Sequence, residues 1–318
     1  MACVDPHLTS ACDVSIDVDP TLLTLLDRVQ KLFLRRLLGV TKRSPVAPLF
    51  SETGMWPIRY RRIMLALQYW QYALSLPNDH FLSCAFRDSL ALAQDRRSSW
   101  LTDLARALSA FHVPVHLDLF KSWSPADVDG VVTAVEESCL KDIETYLSTS
   151  PKTPLLRRTS NVSGNVGVHA RPLEKQAICA FRAYLRVPIP AHRKAVVRLL
   201  SSSHTLAVEV LRWTDRRQPA VPRAQRWCRF CHSNIEDEVH ALWLCDASQA
   251  VRDLRTCFSR DIVSLAPVDF LQHLRSAPTA YHVVRLLSDT EHDVVVCRFA
   301  KYVHDILKVF GEIPVLRW

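Results

Sequence analysis

The first regular pattern along the chain is a helical repeat of apolar residues between positions 19 and 39. Asp19 is a residue type that caps helix N-termini, Pro20 suits the first helical position and Gly39 is a natural stop. Apolar side chains recur between these signals at helical spacing, which predicts one face that packs on a core. These apolar positions are Leu22, Leu25, Leu26, Val29, Leu32, Phe33 and Leu37.

A second helix is predicted to begin at Pro57 and to end before Pro77. Its residues after Arg62 are apolar on nearly all sides, which is typical of a helix at the centre of a core. Alternation of apolar and polar residues, the pattern of strands, is scarce, so the sequence predicts a mainly α fold with a multi-helix core. Further helical patterns cover residues 79–95, 97–111, 124–148, 174–186, 191–213, 234–257 and, in pieces, 268–310.

Helical periodicity is lost over residues 148–172, where Pro, Ser, Asn and Gly are frequent. This composition is typical of a linker, so we expect a helical N-terminal domain over residues 1–147. After the linker, a helical segment (173–215) precedes a basic approach with a metal knuckle (216–250), and C-terminal helices (251–318) follow.

Composition excludes several classes of protein. The 318 residues include 6 Gly and 18 Pro, and neither GxGxxG nor GxxxxGK[ST] occurs, which argues against a phosphate-cradling loop. The formal net charge of +8 favours an anionic partner such as nucleic acid. No run of about 18 apolar residues is present, so we expect no membrane span.

The cysteine usage points to a reducing compartment. The first twenty residues are acidic and lack the apolar stretch of a signal peptide, so we expect a nuclear or cytoplasmic protein. Ten cysteines in such a protein are expected to be reduced thiols or metal ligands.

A cluster of cysteines and histidines near residue 235 carries the clearest chemical signal. Its spacing is Cys228-x2-Cys231-x8-His240-x4-Cys245. Zinc prefers four thiolate or imidazole ligands in a tetrahedron, and structural zinc sites fill all four positions with protein groups. A Cys-x2-Cys turn supplies two ligands, and the following element supplies the other two. The sequence therefore predicts a small Cys-Cys-His-Cys zinc knuckle.

The second pair of ligands is predicted to lie on a helix. Ser233 and Glu236 have the spacing of a capping box, which would start a helix at Asn234. Cys245 would then lie about 140° around an α-helix from His240. We therefore expect the helix to end or tighten near Leu244, so that the Cys245 thiol reaches the metal.

Two other interpretations of the cluster compete with zinc. The cysteines can be ordinary buried thiols, a frequent state of free cysteine. Residues 228–232 also match the sequence that attaches c-type haem, although such haem proteins are exported or organellar. His232 is an alternative third ligand, but its position next to Cys231 strains joint coordination of one ion.

The surrounding sequence resembles the zinc-binding segment that follows the reverse transcriptase in non-LTR retrotransposon proteins, especially fungal ones. The resemblance rests on LAVEVLRWTDRRQPAVPRAQRWCRFCHSNIEDEVHALWLC and on the upstream stretches VQKLFLRRLLGVTKRSPVAPLFSETGMWPIRYRRIMLAL and AFRAYLRVPIPAHRKAVVRLLSSSHTLAVE. It covers most of residues 20–260. It implies a thumb-like or connector-like N-terminal domain, a zinc knuckle and nucleic acid as partner.

The chain departs from that family in its carboxylates. A reverse transcriptase needs paired aspartates that hold two metal ions, and no Asp-Asp pair occurs in this sequence. Asp17 and Asp19, like Asp127 and Asp129, are interpreted as residues at helix starts. No catalytic residue is therefore predicted, and we expect a non-catalytic protein that corresponds to the region after the polymerase.

The approach to the knuckle is rich in arginine. Arginine suits phosphate, and aromatic rings can stack on unpaired bases, so this segment predicts contact with RNA or single-stranded DNA of low sequence specificity. The alternative is a solvated basic linker with its aromatic residues packed on the knuckle. The candidate residues are Arg212, Arg216, Arg217, Arg223, Arg226, Arg229, Trp227 and Phe230.

Two functions therefore compete. The leading prediction is a zinc-binding, nucleic-acid-binding module without catalytic activity, and no small-molecule substrate or membrane is expected as a partner. The alternative is a helical scaffold for protein interactions, in which zinc is purely structural.

Overall fold

The computed structural model describes residues 4–156, 178–214, 219–276, 282–283, 286 and 293–317. Helices dominate these ranges, and the β-type pairing within them consists of two isolated bridges, Thr53 with Phe181 and Trp227 with Ile235. The predicted mainly α class is confirmed. Within the same ranges, every helix is too short or too polar to cross a membrane.

The described α-helices differ widely in length, from 4 residues to 25. In chain order they are α1 (Asp5–Thr9), α2 (Pro20–Leu38), α3 (Ala47–Ser51), α4 (Ile58–Ser75), α5 (Phe81–Gln94), α6 (Trp100–Ser109), α7 (Pro125–Thr149), α8 (Pro190–Leu200), α9 (Ala207–Val210), α10 (Gln249–Leu265), α11 (Val268–Ser276) and α12 (Asp293–Glu312). Short 3₁₀ turns occupy Pro154–Leu156, Ala183–Arg186 and Arg223–Gln225, and a π-helical turn occupies His240–Leu244.

The chain forms two compact units, each assembled from separated segments. Unit 1 contains Met1–Leu34, Gly54–Tyr146 and Gly167–Ala180, and unit 2 contains Arg35–Thr53, Leu147–Val166 and Phe181–Trp318. Both units therefore take residues from either side of position 150. Most of the predicted linker (148–172) lies outside the described residues, and the predicted domain boundaries stay predictions.

Helix α4 lies at the centre of unit 1, as its apolar sequence predicts. Trp70 and Tyr60 are almost completely buried, with 2% and 0% of their surface exposed. The Trp70 ring lies 4.9 Å from that of Trp123, and the Tyr60 ring stacks 4.4 Å from that of Phe111. Aromatic contacts of this kind add to the free energy of simple burial.

Helix α2 begins and ends as predicted. The Asp19 carboxylate accepts a hydrogen bond from the Thr21 amide at 2.7 Å, and Gly39 adopts a positive φ of 68°. The Val40 amide donates to the Arg35 carbonyl at 3.1 Å, which closes the C-terminus in the usual way for a left-handed glycine.

The face of α2 that the sequence predicted to be buried is instead exposed. The exposed side chains include Leu22 (55%), Leu25 (55%), Val29 (49%) and Leu32 (36%). The buried side carries Gln30, Leu34 and Leu38. The prediction was wrong because the buried side includes a polar residue, Gln30, which interrupts its apolar pattern. The Gln30 side chain is fully buried; it donates to the Trp56 carbonyl and accepts from the Ile58 amide, each at 2.9 Å.

Unit 2 is built around α12, which packs against α8 and α10. Between α10, α12 and the π-helical turn lies a group of aromatic rings. Phe258 stacks on Tyr302 with ring centres 4.4 Å apart, and Trp243 lies 6.2 Å from Phe299 in a parallel arrangement. The Tyr302 hydroxyl donates to the Leu242 carbonyl, which attaches α12 to the π-helical turn.

Three helices predicted between residues 174 and 257 are shorter than expected. The described part of 174–186 contains only the 3₁₀ turn Ala183–Arg186. Segment 191–213 breaks after α8, where Ser202 has a positive φ of 46°, and helix resumes only in α9. In the predicted helix 234–257, the first helical residue is 238, and α10 begins only at Gln249.

Candidate metal centre

Four side chains converge in unit 2 within the segment 226–245, which we call the knuckle. The ligand atoms of Cys228, Cys231, His240 and Cys245 all lie within 4.8 Å of one another. The Cys228 and Cys245 sulphurs are 3.6 Å apart, and the Cys231 sulphur is 3.4 Å from His240 Nε2. Ordinary zinc–ligand bond lengths in a regular tetrahedron give about 3.8 Å and about 3.6 Å for such pairs. The cluster can therefore hold a metal ion.

The cysteines of the cluster are free thiols. The 3.6 Å between the Cys228 and Cys245 sulphurs is far longer than a disulfide bond of about 2.05 Å. Cys228 and Cys245 are fully buried, whereas Cys231 is half-buried. Across the described part of the chain, this is the one group of three or more possible ligands that shares a site.

The first two ligands lie in a tight turn. The Cys228 amide donates to the Asn234 carbonyl at 2.7 Å, and the His232 amide donates to the Cys228 carbonyl at 2.9 Å. His232 has a positive φ of 56° that reverses the chain. The bridge between Trp227 and Ile235 closes the base of this turn. The sulphurs of Cys228 and Cys231 both face the segment that carries His240 and Cys245.

The second pair of ligands lies on a π-helical turn, which corrects the predicted geometry. The helical stretch begins at Glu238 instead of Asn234, and the Asp237 carboxylate caps it by accepting from the His240 amide at 3.0 Å. The Cys245 amide donates to the His240 carbonyl at 2.9 Å. This i to i+5 bond widens the helix where tightening was expected, and it brings His240 and Cys245 over each other.

Glu236, which the sequence suggested as a helix cap, is instead a buried acceptor behind the cluster. Its side chain has 0% exposed surface and accepts hydrogen bonds from the amides of Ala207 at 2.7 Å and Arg229 at 2.9 Å. The Arg229 guanidinium completes an ion pair with it at 2.6 Å. A buried ion pair of this kind holds its geometry because leaving either charge unpaired is costly.

Arg229 links the knuckle to the end of α12. Its guanidinium donates to the carbonyls of Phe310 and Ile313, and at 2.8 Å to that of Thr205. A cation at a helix C-terminus also interacts favourably with the helix dipole. With 7% of its surface exposed, Arg229 is not placed to bind nucleic acid, and that prediction was wrong.

Arg226 is also an internal residue, contrary to prediction. It is 8% exposed, and its guanidinium donates to the carbonyls of Val221 at 2.9 Å and Val208 at 2.7 Å. Both buried arginines lie in the knuckle and therefore attach it to other backbone segments of unit 2. This role could not be predicted from the sequence, because no local spacing pattern connects Arg226 and Arg229 with the segments that carry the accepting carbonyls.

The other predicted nucleic-acid residues are dispersed. Arg223 is exposed and pairs with Asp237 at 3.1 Å, and Arg212 pairs with Glu209 at 2.9 Å. Arg216 and Arg217 lie outside the described residues. The six candidates that the structure describes therefore do not form one exposed surface.

The two aromatic candidates are half-buried on the knuckle. The Phe230 ring meets the Phe310 ring edge-on at 4.8 Å, and Trp227 lies in the bridge that closes the ligand turn. This agrees with the alternative interpretation, in which the aromatic residues pack on the knuckle.

The close approach of three thiols and an imidazole shifts the pKa values of Cys228, Cys245 and His240. The hydrogen bond with Cys245 and burial raise the pKa of Cys228 to about 12, whereas the same bond lowers the pKa of Cys245. Burial opposes protonation of His240, but contacts with Cys228 and Cys231 more than offset it and raise its pKa. A cation favours ionised thiols and a neutral imidazole, so metal binding is expected to release protons.

A buried pair that the sequence analysis missed supports the same region. His204 Nε2 lies 2.9 Å from the Glu238 carboxylate, and the Leu206 amide donates to His204 Nδ1 at 3.3 Å. Since Nδ1 accepts, Nε2 carries the proton and donates to Glu238. The pair fixes the start of the helical stretch that delivers His240, and no local sequence signal joins residues 204 and 238.

The chain matches no protein-family model, no curated protein and no solved structure. The resemblance to the region after a non-LTR reverse transcriptase therefore stays a prediction.

Proposed function

We propose that the cluster binds one zinc ion that has a structural role. The supporting observation is the donor set: three cysteines and one histidine converge at distances that suit a tetrahedron. All four positions are filled by protein side chains, so no position is left for water or a substrate. Catalytic zinc sites keep such a position open, which supports a non-catalytic role.

The zinc fixes the fold of the knuckle. Two ligands come from the turn after Cys228 and two from the π-helical turn, and each segment alone is too short to have a core of its own. The ion joins them, and the pair Arg229–Glu236 carries the same fixed geometry to the end of α12. Structural zinc contributes folding free energy directly because the unfolded chain has no formed site.

Metal analysis of the purified chain tests this function. We expect one zinc per chain, and loss of that zinc in Cys231→Ala. Cys257→Ala is the matched control, because Cys257 is an exposed free thiol outside the cluster, and it should keep full metal content. Cobalt replacing zinc should give the absorption spectrum of a tetrahedral thiolate site. A chain without metal, or a Cys231→Ala variant with full metal content, contradicts the proposal.

Nucleic acid remains the proposed partner, but at another surface. Two cations lie against Trp213 in unit 2: Arg43 lies 4.8 Å and Lys152 Nζ 4.1 Å from the centre of its ring. We name as the Trp213 face the residues Arg43, Lys152, Arg198, Arg212 and Trp213.

The members of this face are held together through the turn that follows α2. The Lys152 ammonium donates to the Arg43 carbonyl at 2.6 Å, and Arg198 Nε donates to the Gly39 carbonyl at 3.0 Å. Within the described residues, the buried Glu209 pairs with this face, at 2.9 Å from Arg212 and 3.6 Å from Lys152. Excess positive charge spread over several residues suits a polyphosphate backbone.

Salt dependence of binding to a single strand tests this partner. If four cations neutralise phosphates, log affinity should fall with log salt at a slope of about −3, and Arg43→Glu with Arg198→Glu should flatten the slope by about 1.4 or more. Arg106→Glu, an exposed site in unit 1, is the matched control and should leave the slope unchanged. An unchanged slope in the double variant would favour the protein-interaction scaffold.

A further inference from the structure

The exposed side of α2 presents an apolar stripe at heptad spacing. Leu22 and Val29 are seven residues apart, as are Leu25 and Leu32, so the four side chains occupy alternate a and d positions. Between 36% and 55% of each of these side chains is exposed. The opposite side of the helix is buried through Gln30, Leu34 and Leu38, so α2 already has its contact with the core.

Such a stripe is unusual on a protein surface. Single exposed apolar residues are normal, whereas a contiguous row of them marks an interaction site. The row continues over two heptads without a polar interruption, which is the pattern that one helix presents to another. We infer that the stripe formed by Leu22, Leu25, Val29 and Leu32 is the docking site of a helix from a partner protein.

The charges beside the stripe define the partner. Arg28 lies at its edge and Arg36 occupies the next a position, and both side chains are exposed. The carboxylate within α2, Asp27, pairs with Lys31 away from the stripe. The docking helix therefore carries leucine-type residues along its seam and acidic residues at the positions that face Arg28 and Arg36.

A second copy of this chain fits the stripe less well. In a parallel pair, Arg36 at an a position would face its own copy across the seam. In an antiparallel pair that aligns the four apolar layers, Arg28 would face Arg28 near the two-fold axis. Both orientations place arginine against arginine, which disfavours self-association.

An anionic membrane also fits less well. Surfaces that bind anionic lipid through charge use clusters of about four to eight basic residues, whereas the exposed side of α2 carries two arginines. The heptad spacing has no function on a lipid surface, which selects only total apolar area and charge.

Two synthetic peptides test the docking site. Both are amphipathic helices with a leucine seam, one flanked by glutamates and the other by lysines. The intact chain should prefer the glutamate-flanked peptide in a fluorescence anisotropy titration. Leu25→Ser with Val29→Ser should weaken that binding by about tenfold or more, since each side chain loses apolar area that docking would bury. Phe81→Ser, at an exposed phenylalanine on α5, should bind like the unchanged chain.

A charge swap separates docking from nonspecific adhesion. Arg28→Glu with Arg36→Glu should reverse the preference, so that the lysine-flanked peptide binds more tightly. Circular dichroism checks that each variant retains its helices. Equal affinity for both peptides, or loss of binding in Phe81→Ser, overturns the proposal. Self-association abolished by Leu25→Ser would assign the stripe to a second copy, and binding to phosphatidylserine vesicles through Leu25 would assign it to a membrane; either result overturns a helical partner.

Discussion

The knuckle and the core of unit 1 both bury large side chains, but of different kinds. In the knuckle the buried groups include Arg226, Arg229, Glu236, Glu238 and His240, together with two thiols. Around α4 in unit 1 the buried groups are mainly aliphatic and aromatic. Burial of charge is favourable only where partners are complete, whereas burial of apolar surface is favourable wherever the packing is close.

This difference makes the stability of the two regions depend on different conditions. Unit 1 should depend on packing and respond little to metal or to protonation of thiols. The knuckle should depend on complete charge compensation, in which the ion, Glu236 and Arg229 each have a part.

Chelation of the proposed zinc ion should have the largest effect. Structural zinc in finger peptides contributes about 10–16 kcal/mol of apparent binding free energy, so its removal should unfold residues near 226–250. Unit 1 should keep its helices because its apolar core contains no ligand. Hydrogen exchange followed by mass spectrometry measures both regions in one experiment. Equal loss of protection in α4 and in the knuckle would contradict the comparison.

Removal of the charge on Glu236 should have the next largest effect. Glu236→Gln keeps the shape but leaves the Arg229 guanidinium buried without a counter-charge, which costs about 3–5 kcal/mol when one partner of a buried pair is lost. Chemical denaturation of the zinc-loaded protein measures this cost. Glu312→Gln, which removes an exposed carboxylate at the end of α12, is the control and should be nearly neutral. Similar effects of both changes would show that Glu236 is not a special acceptor.

In the core of unit 1, a substitution that creates a cavity should lower the stability more than one that removes a charge. Leu67 is fully buried on α4, so Leu67→Ala should cost about 2–5 kcal/mol through lost burial and an unfilled space. The cost should be the same before and after chelation, since no charged group of the knuckle is involved. Thermal unfolding with and without chelator measures it. A cost that falls sharply after chelation would mean that the two regions are not independent in stability.

The sequence predicts the ligands of the knuckle better than their surroundings. Cys228, Cys231, His240 and Cys245 are recognisable because ligand spacing is a local property of the chain. The π-helical turn is not recognisable, since it depends on the hydrogen bond from Cys245 to the His240 carbonyl, which spacing alone does not favour. The chemistry of the site could be predicted, and its backbone could not.

The arginines and α2 show where local patterns mislead. Arg229 looks like a solvated cation in a basic segment, yet its acceptors include carbonyls near residue 310, about eighty positions away. Helix α2 is apolar on two sides, and periodicity alone selects the wider stripe through Leu25 and Val29. The structure buries the other side, because Gln30 finds partners at Trp56 and Ile58. In both cases distant contacts decide the role of a residue.

The smallest effect is expected from Asp127 at the start of α7. This charge in unit 1 is in contact with solvent, whereas the charges of Arg229 and Glu236 in the knuckle are buried. Hydrogen bonds from Lys121 and Ser124 lower the pKa of Asp127 from 3.8 to about 2. Because the folded pKa lies below the unfolded value, the stabilisation is complete above about pH 4 and is lost as the pH falls through 2. Asp127→Asn should therefore lower the melting temperature near neutral pH and have no effect at the acid limit.

The test of this effect is thermal unfolding of chelator-treated protein from acid to neutral pH, so that loss of zinc does not contribute. Solvent weakens the interactions of Asp127, so the change should be smaller than that of Leu67→Ala at every pH. The two curves, unchanged chain and Asp127→Asn, should converge as the carboxylate of the unchanged chain becomes protonated. A difference in melting temperature that stays constant with pH would show that Asp127 acts through packing and not through its charge.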